Sequence, residues 1–384
     1  YNKEYVDTHV VGVDKFADYV LGNEDGVPKT PAWAAKKCGV PEWTIKALAR
    51  EYAAKVTSVA HYFGGGFVRG PYSHEHGRLE VILLGMQGLG GPGVHHHQLT
   101  YFGMPRKEGL AGPFFWNPEI EERLSIPVMS SVTAWQQQVL PKTLVHKAIE
   151  SDEPITFHGT GAIEALVMDQ FNEYTYPIPK EEGGSEIHMM WTDTPCRITC
   201  WNGGNETELA MRNPKIEFIV AQHPWLENDC IYADIILPIN TYMEVDDIIT
   251  NIRQGTQQPN IMIADKAIEP IGESKSDFEA VIEVAKRFEL DDTLTEGLSV
   301  FDMQKKVWGY MGGEKLVPWE QLKEKKYWIY PTAEDWRNDP PGFRKFYEDP
   351  EKNPLPTDSG KLEFYSAALA KHFPDDKERP PIPK

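Results

Sequence analysis

Apolar residues along this chain recur in two rhythms, one at every third or fourth position and one in short unbroken runs. The first rhythm predicts helices over residues 6–20, closed by Gly22 to Gly26, and over 33–38, closed by Gly39. The clearest helix covers 41–54, with Pro41 in its first turn and apolar side chains recurring toward Tyr52. Further helices are expected over 75–86, 141–150, 277–288 and 300–311, with a shorter segment at 318–324. The second rhythm predicts strands at 56–63 and 155–158. Three more follow in close succession, at Ile198-Thr-Cys-Trp-Asn-Gly-Gly-Asn205, Glu217-Phe-Ile-Val-Ala-Gln222 and Ala233-Asp-Ile-Ile-Leu-Pro238. Short apolar runs alternating with helices predict an α/β fold with parallel sheets.

Between these elements, residues 103–135 are rich in Pro, Gly and aromatic side chains and read as an irregular crossing between domains. Residues 169–185 read as an insertion loop whose Tyr174 and Tyr176 are suited to reach into a cleft. From residue 291 onward charge, aromatics and Pro crowd together. Three consecutive parts are therefore expected, 1–130, 131–290 and 291–384.

Composition narrows the partners more than the fold. A chain of 384 residues with 41% hydrophobic and 25% charged residues has the balance of an ordinary globular protein. No apolar run approaches the roughly 20 residues needed to cross a bilayer, and no basic-then-apolar leader is visible. A cytoplasmic location is expected. The net charge of −19 argues against nucleic acid, whose phosphates attract clustered Lys and Arg. A smaller anionic ligand is still compatible, since backbone amides and a few local Arg can hold one. Cys38, Cys196, Cys200 and Cys230 include no Cys-x-x-Cys pair and read as buried thiols in a reducing compartment rather than as an iron–sulfur or zinc site.

Candidate chemistry gathers at the glycine runs. Gly203 and Gly204 allow a tight turn at a strand end, either to admit a phosphate-bearing, nucleotide-like ligand or simply to join strand and helix. Two other runs, Gly64 to Gly66 and Gly88-Leu-Gly-Gly-Pro-Gly93, offer closely approachable backbone. After the second comes His95-His96-His97-Gln98-Leu99-Thr100-Tyr101. Consecutive side chains do not converge on one ion, so this segment reads as a polar loop lining a cleft rather than as a metal site.

Taken in order, four segments resemble the large subunits of the dimethyl sulfoxide reductase family. They are the Trp-x-Gly-Gly-Asn turn at 201–205, Tyr232-Ala-Asp-Ile-Ile-Leu-Pro238, Ile239-Asn-Thr-Tyr-Met-Glu-Val-Asp-Asp-Ile248, and the run from Lys266 to Asp277. Leu84 to Gly93 and Pro356-Thr-Asp-Ser-Gly-Lys-Leu-Glu-Phe-Tyr365 extend the likeness across nearly the whole chain. The resemblance implies two Rossmann-like α/β pterin-binding domains, followed by a mixed segment that leads toward a C-terminal barrel. It also implies molybdenum or tungsten on a bis-(molybdopterin guanine dinucleotide), with iron–sulfur clusters only in a small partner subunit. The family's barrel and the segment supplying the metal's protein ligand have no counterpart here, so the chain reads as a central fragment.

Residue by residue, the resemblance implies cofactor contacts at Gly64, Gly91, Gly93, Trp201, Gly203, Gly204, Asn205, Gln222, His223, Asp229, Pro238 and Glu244. Glu206 stands where the family usually has Pro, and His223 where many members have Asp. Within the family, Tyr62-Phe-Gly-Gly-Gly-Phe-Val-Arg-Gly-Pro-Tyr72 and the His loop are most similar to members that move a hydroxyl between polyhydroxylated benzenes without net oxidation. For that chemistry Tyr101 is the leading acid–base candidate, because its phenol has a pKa of about 10, close to that of such substrates. His95, His97 and Arg69 are secondary candidates. A conventional oxidoreductase that passes electrons to an iron–sulfur subunit, and an inactive cofactor-binding module, are the alternatives.

Overall fold

The computed structural model describes residues 1–61, 72–98, 138–160, 167–250, 260–310, 313–315, 317–329 and 342–384. The chain divides into two compact units, one made of residues 1–100 with 332–384 and the other of 101–331. Residues 332–384 thus group with the first unit, where the sequence led us to expect a third consecutive part over 291–384.

In the first unit, α1 (Lys3–His9) begins at Asn2, whose side chain accepts the Tyr5 N–H at 3.1 Å. The single helix expected over 6–20 is interrupted here. Val10–Val11 form strand β1, paired in parallel with Leu362–Glu363, and α2 (Val13–Leu21) starts afresh. The break has a local cause. Gly12 takes a left-handed φ of 75°, and a Cβ there would come within 2.5 Å of the Tyr365 Cβ, so only glycine lets the two segments pair this closely. Helix α3 (Pro31–Cys38) is capped by the Thr30 side chain and ended by left-handed Gly39. Helix α4 (Glu42–Ala54) has Pro41 just before its first turn. Strand β2 (Val59–His61), helix α5 (Ser73–Gln87) and strand β3 (His96–Gln98) form a parallel crossover. Tyr5, Ile82, Leu84, Leu89 and Val94 pack with Phe346, Leu362 and Phe364 into one core.

The second unit contains three sheets among its described residues. Strands β4 (Ile155–His158) and β5 (Glu173–Tyr176) pair antiparallel. The expected loop over 169–185 therefore includes a strand: Tyr176 is buried, and the Tyr174 hydroxyl donates to Asp169 at 2.7 Å. Strands β6 (Met189–Thr192), β7 (Phe218–His223) and β8 (Ile235–Pro238) form a parallel sheet. One of the three expected strands is displaced, because Arg197–Cys200 is a single helical turn and the strand lies upstream in β6. Ile149, Met190, Ala210, Met211 and Ile219 close the core on one face of this sheet. Strands β9 (Asp247–Thr250), β10 (Asn260–Ala264) and β11 (Tyr327–Ile329) form an antiparallel sheet over Trp308, Trp319 and Leu322. The architecture is α/β with parallel sheets, as the alternation of elements implied.

Candidate functional site

Beyond the C-terminal end of β6 the chain builds a tight, heavily hydrogen-bonded turn. Buried Asp229 accepts the Arg197 N–H at 2.7 Å on one carboxylate oxygen and the Ile198 N–H at 3.1 Å on the other. Its own N–H donates to the Pro195 carbonyl at 3.1 Å. A carboxylate that fills two first-turn donors favours the helical turn Arg197–Cys200. The chain leaves that turn through extended Trp201, reverses at Gly203 with φ 75°, and enters the helix Gly204–Met211. A Cβ on Gly204 would lie 2.3 Å from the Ile198 carbonyl oxygen, and one on Gly203 would lie 3.3 Å from His146 Cε1. The glycine pair is thus required by the chain's own close approach as well as by the left-handed turn. Asn205 is exposed beside it.

Below this turn lies a narrow cleft whose cavity volume is about 10 Å³. Lys142, His146, Arg197, Trp201 and Thr207 line it over an apolar floor that includes Ile149, Met190 and Met211. The Lys142 ammonium stands 5.4 Å from the centroid of the Trp201 ring. Arg197 is half-buried, and burial pushes its pKa downward while the Asp229 charge partly offsets that. Lys142, His146 and Arg197 were missed in the sequence. The helix over 141–150 is legible there, but its convergence with Arg197 is a tertiary contact that no local pattern announces.

The remaining expected contacts on this unit are tied into its own framework. The buried Gln222 side chain accepts the Trp191 indole N–H at 2.7 Å and donates to Asp277 at 2.7 Å. His223 Nδ1 accepts the Trp225 N–H at 3.3 Å. Pro238 ends β8 opposite His223, and its carbonyl accepts the Lys275 N–H at 3.2 Å. Glu244 accepts from the Thr241 N–H and hydroxyl at 2.7 and 2.8 Å and from the Ile271 N–H at 2.7 Å. The Thr241 backbone bond is foremost in holding its carboxyl below the usual carboxylate range. The four cysteines differ in setting: Cys38 is exposed, Cys196 and Cys200 are half-buried, and only Cys230 is buried.

On the first unit, the second glycine run folds against its own chain. A Cβ on Gly91 would meet the Tyr347 ring at 2.9 Å, and one on Gly93 would meet Val56 at 2.6 Å. His95 is half-buried, its carbonyl accepting the Val59 N–H at 2.9 Å. His97 pairs with Ala60 in the β2–β3 ladder. His96 lies 3.4 Å from Glu80. Tyr101, Arg69 and Gly64 lie outside the described residues. No group of three His, Cys, Asp or Glu poised for a metal occurs among the described residues. No described helix is long and apolar enough to cross a membrane.

Residues 161–287 match the family described as molybdopterin oxidoreductase. The chain is 29% identical to the pyrogallol hydroxytransferase large subunit of Pelobacter acidigallici, with 99% of this chain and 48% of that protein covered. It is 27% identical to trimethylamine-N-oxide reductase of Salmonella typhi, covering 100% and 42%. Dimethyl sulfoxide/trimethylamine N-oxide reductase of Rhodobacter capsulatus is also 27% identical, covering 98% and 43%. Among solved structures, acetylene hydratase from Pelobacter acetylenicus is similar in fold, with a TM-score of 0.50 at 16% identity over 100% of this chain and 47% of that one. The chain spans about half the length of the curated relatives it matches.

Proposed function

We propose, from the match of residues 161–287 to the molybdopterin oxidoreductase family, that the chain is the central part of a transhydroxylase. Such an enzyme carries molybdenum or tungsten on a bis-(molybdopterin guanine dinucleotide) and moves a hydroxyl between polyhydroxylated benzenes, pyrogallol among them, without net oxidation. One observation carries this choice: the similarity to pyrogallol hydroxytransferase runs through 99% of the chain, including the Trp201 to Asn205 turn. The chemistry of that turn suits a phosphate-bearing cofactor. A left-handed glycine exposes backbone, Trp201 offers a ring face, and Lys142 and Arg197 bring positive charge to the same cleft.

When bound, the cofactor supplies the metal centre at which oxygen moves. On the second unit, Trp201, Gly203, Gly204 and Asn205 would hold it; on the first unit, the resemblance alone proposes Gly64, Gly91 and Gly93 as cofactor contacts. Gln222, Asp229, Pro238 and Glu244 would act one step back, by fixing the loops that carry those contacts. Tyr101 would pass a proton to or from a substrate phenol, with His95, His97 and Arg69 orienting the other hydroxyls. A small iron–sulfur subunit is the proposed partner, in keeping with a relative named a large subunit.

The similarity to trimethylamine-N-oxide reductases over the same span favours a second reading, a conventional oxidoreductase that exchanges electrons with an external donor. Pyrogallol turnover by the full-length protein with its partner, in the absence of any external electron acceptor, separates the two. Turnover with stoichiometric metal and pterin supports the transhydroxylase. Its absence, together with N-oxide reduction by the same preparation, rejects it.

A further inference from the structure

We propose that Cys196 and Cys200 are a dithiol that exchanges with a low-molecular-weight disulfide and closes into an intramolecular disulfide across the helical turn before Trp201. Their thiols hydrogen-bond to each other, and both residues are half-buried, so a small reagent reaches them. The other two cysteines are set differently: Cys230 is buried, and Cys38 is exposed on the first unit.

The backbone holds the pair at the span a disulfide needs. Cys196 precedes the turn Arg197–Cys200, and the Cys200 N–H donates to the Cys196 carbonyl at 2.8 Å. Four residues of helical rise cover about 6 Å, inside the roughly 4.4–6.8 Å that a disulfide spans between Cα atoms. Between the two thiols, Asp229 fixes the N–H groups of Arg197 and Ile198, which keeps the turn wound and the sulfurs together.

The two side chains play different parts. Burial is foremost in pushing the Cys196 thiol up, with the Cys200 thiol next and the Asp229 and Glu227 charges adding to it. Since the thiolate is the nucleophile, Cys200 enters first. Its sulfur attacks the small disulfide, forming a mixed disulfide and releasing one small thiol. Cys196 then loses its proton and attacks the Cys200 sulfur, breaking the mixed disulfide and releasing the second small thiol. Two protein thiols are oxidised, and one small disulfide is reduced to two thiols. The closed bond ties the ends of the turn together. Trp201, whose N–H donates to the Arg197 carbonyl at 3.0 Å, is the residue next to it.

The inference does not depend on the function proposed above, and its test needs no turnover. The full-length protein is treated with excess oxidised glutathione, blocked with N-ethylmaleimide and digested with trypsin without reduction. Trypsin cuts after Arg197 and leaves the two cysteines on different peptides, 181–197 and 198–212. A disulfide between them is expected as one linked species that reduction separates. Cys196→Ser should instead accumulate the glutathione mixed disulfide on Cys200. Once the bond is closed, amide exchange at Trp201 should slow on the order of tenfold. Peptides that stay unlinked while exposed Cys38 acquires glutathione overturn the proposal, as does linkage that leaves Trp201 exchange unchanged. Both decisive measurements are made on the wild-type protein, so a variant that fails to fold does not protect the proposal.

Discussion

At Asp229 one carboxylate holds two backbone N–H groups, those of Arg197 and Ile198, and its replacement by Asn should show how much the Trp201 turn depends on it. The amide keeps one acceptor oxygen and turns an NH2 toward the second N–H donor, so Asp229→Asn is expected to destabilise the protein by about 1–3 kcal/mol, read by denaturant unfolding. Glu244 makes a pH-dependent contribution of known sign. Its folded pKa is depressed, so its stabilisation is present above the ordinary carboxyl value of 4.5 and is lost as pH falls through the lower folded value. Amide exchange at Thr241 and Ile271 should therefore accelerate as pH is lowered below about 4.5, beyond the intrinsic trend, and Glu244→Gln should abolish that step. Tyr101, proposed to act on the substrate, is tested by removal of its hydroxyl alone. Tyr101→Phe should lower turnover on the order of 10²-fold with metal and pterin content unchanged, and near-normal turnover excludes proton transfer there. Single residues were legible in the sequence where a backbone constraint dictated them, as at Gly203 and Gly39. Lys142, His146 and Arg197 were not, since each looks like an ordinary charged or polar helix residue until the fold brings them to one cleft.

Among the elements, the helical turn Arg197–Cys200 shows how a short apolar run can mislead. Ile198 and Cys200 alternate as strand residues do, and the decisive information is the Asp229 carboxylate, distant in sequence, that caps the turn. Val10–Val11 is the opposite case, a strand hidden inside a helical spacing and fixed by pairing with Leu362–Glu363. Two strands of the parallel sheet were readable, because residues 218–221 and 235–237 are unbroken apolar runs, whereas Met189–Thr192 was not. Gly203 sits at the junction of element and turn. Gly203→Ala forces a side chain into the left-handed region beside His146 and should cost about 1–2 kcal/mol. A melting temperature unchanged from wild type would show that the turn relaxes freely.

For the molecule as a whole, the first unit depends on both ends of the sequence. Phe346, Leu362 and Phe364 belong to the same core as Tyr5 and Leu84, and Glu75 receives the Lys384 N–H at 2.8 Å while pairing with Arg78. Removing residues 342–384 should expose that core, giving a protein whose first unit binds a hydrophobic dye and is cleaved by protease while the core of residues 138–329 resists. Equal resistance of both units would contradict it. The parallel pairing of Val10–Val11 with Leu362–Glu363 also has a consequence for synthesis on the ribosome. Some 350 intervening residues must be translated before the first strand meets its mate, which at about 5–20 residues per second leaves Tyr5 and Leu84 without Leu362 and Phe364 for tens of seconds. Within this span the residues translated early are thus completed late, and the nascent segment around Tyr5 and Leu84 is a natural client for a chaperone.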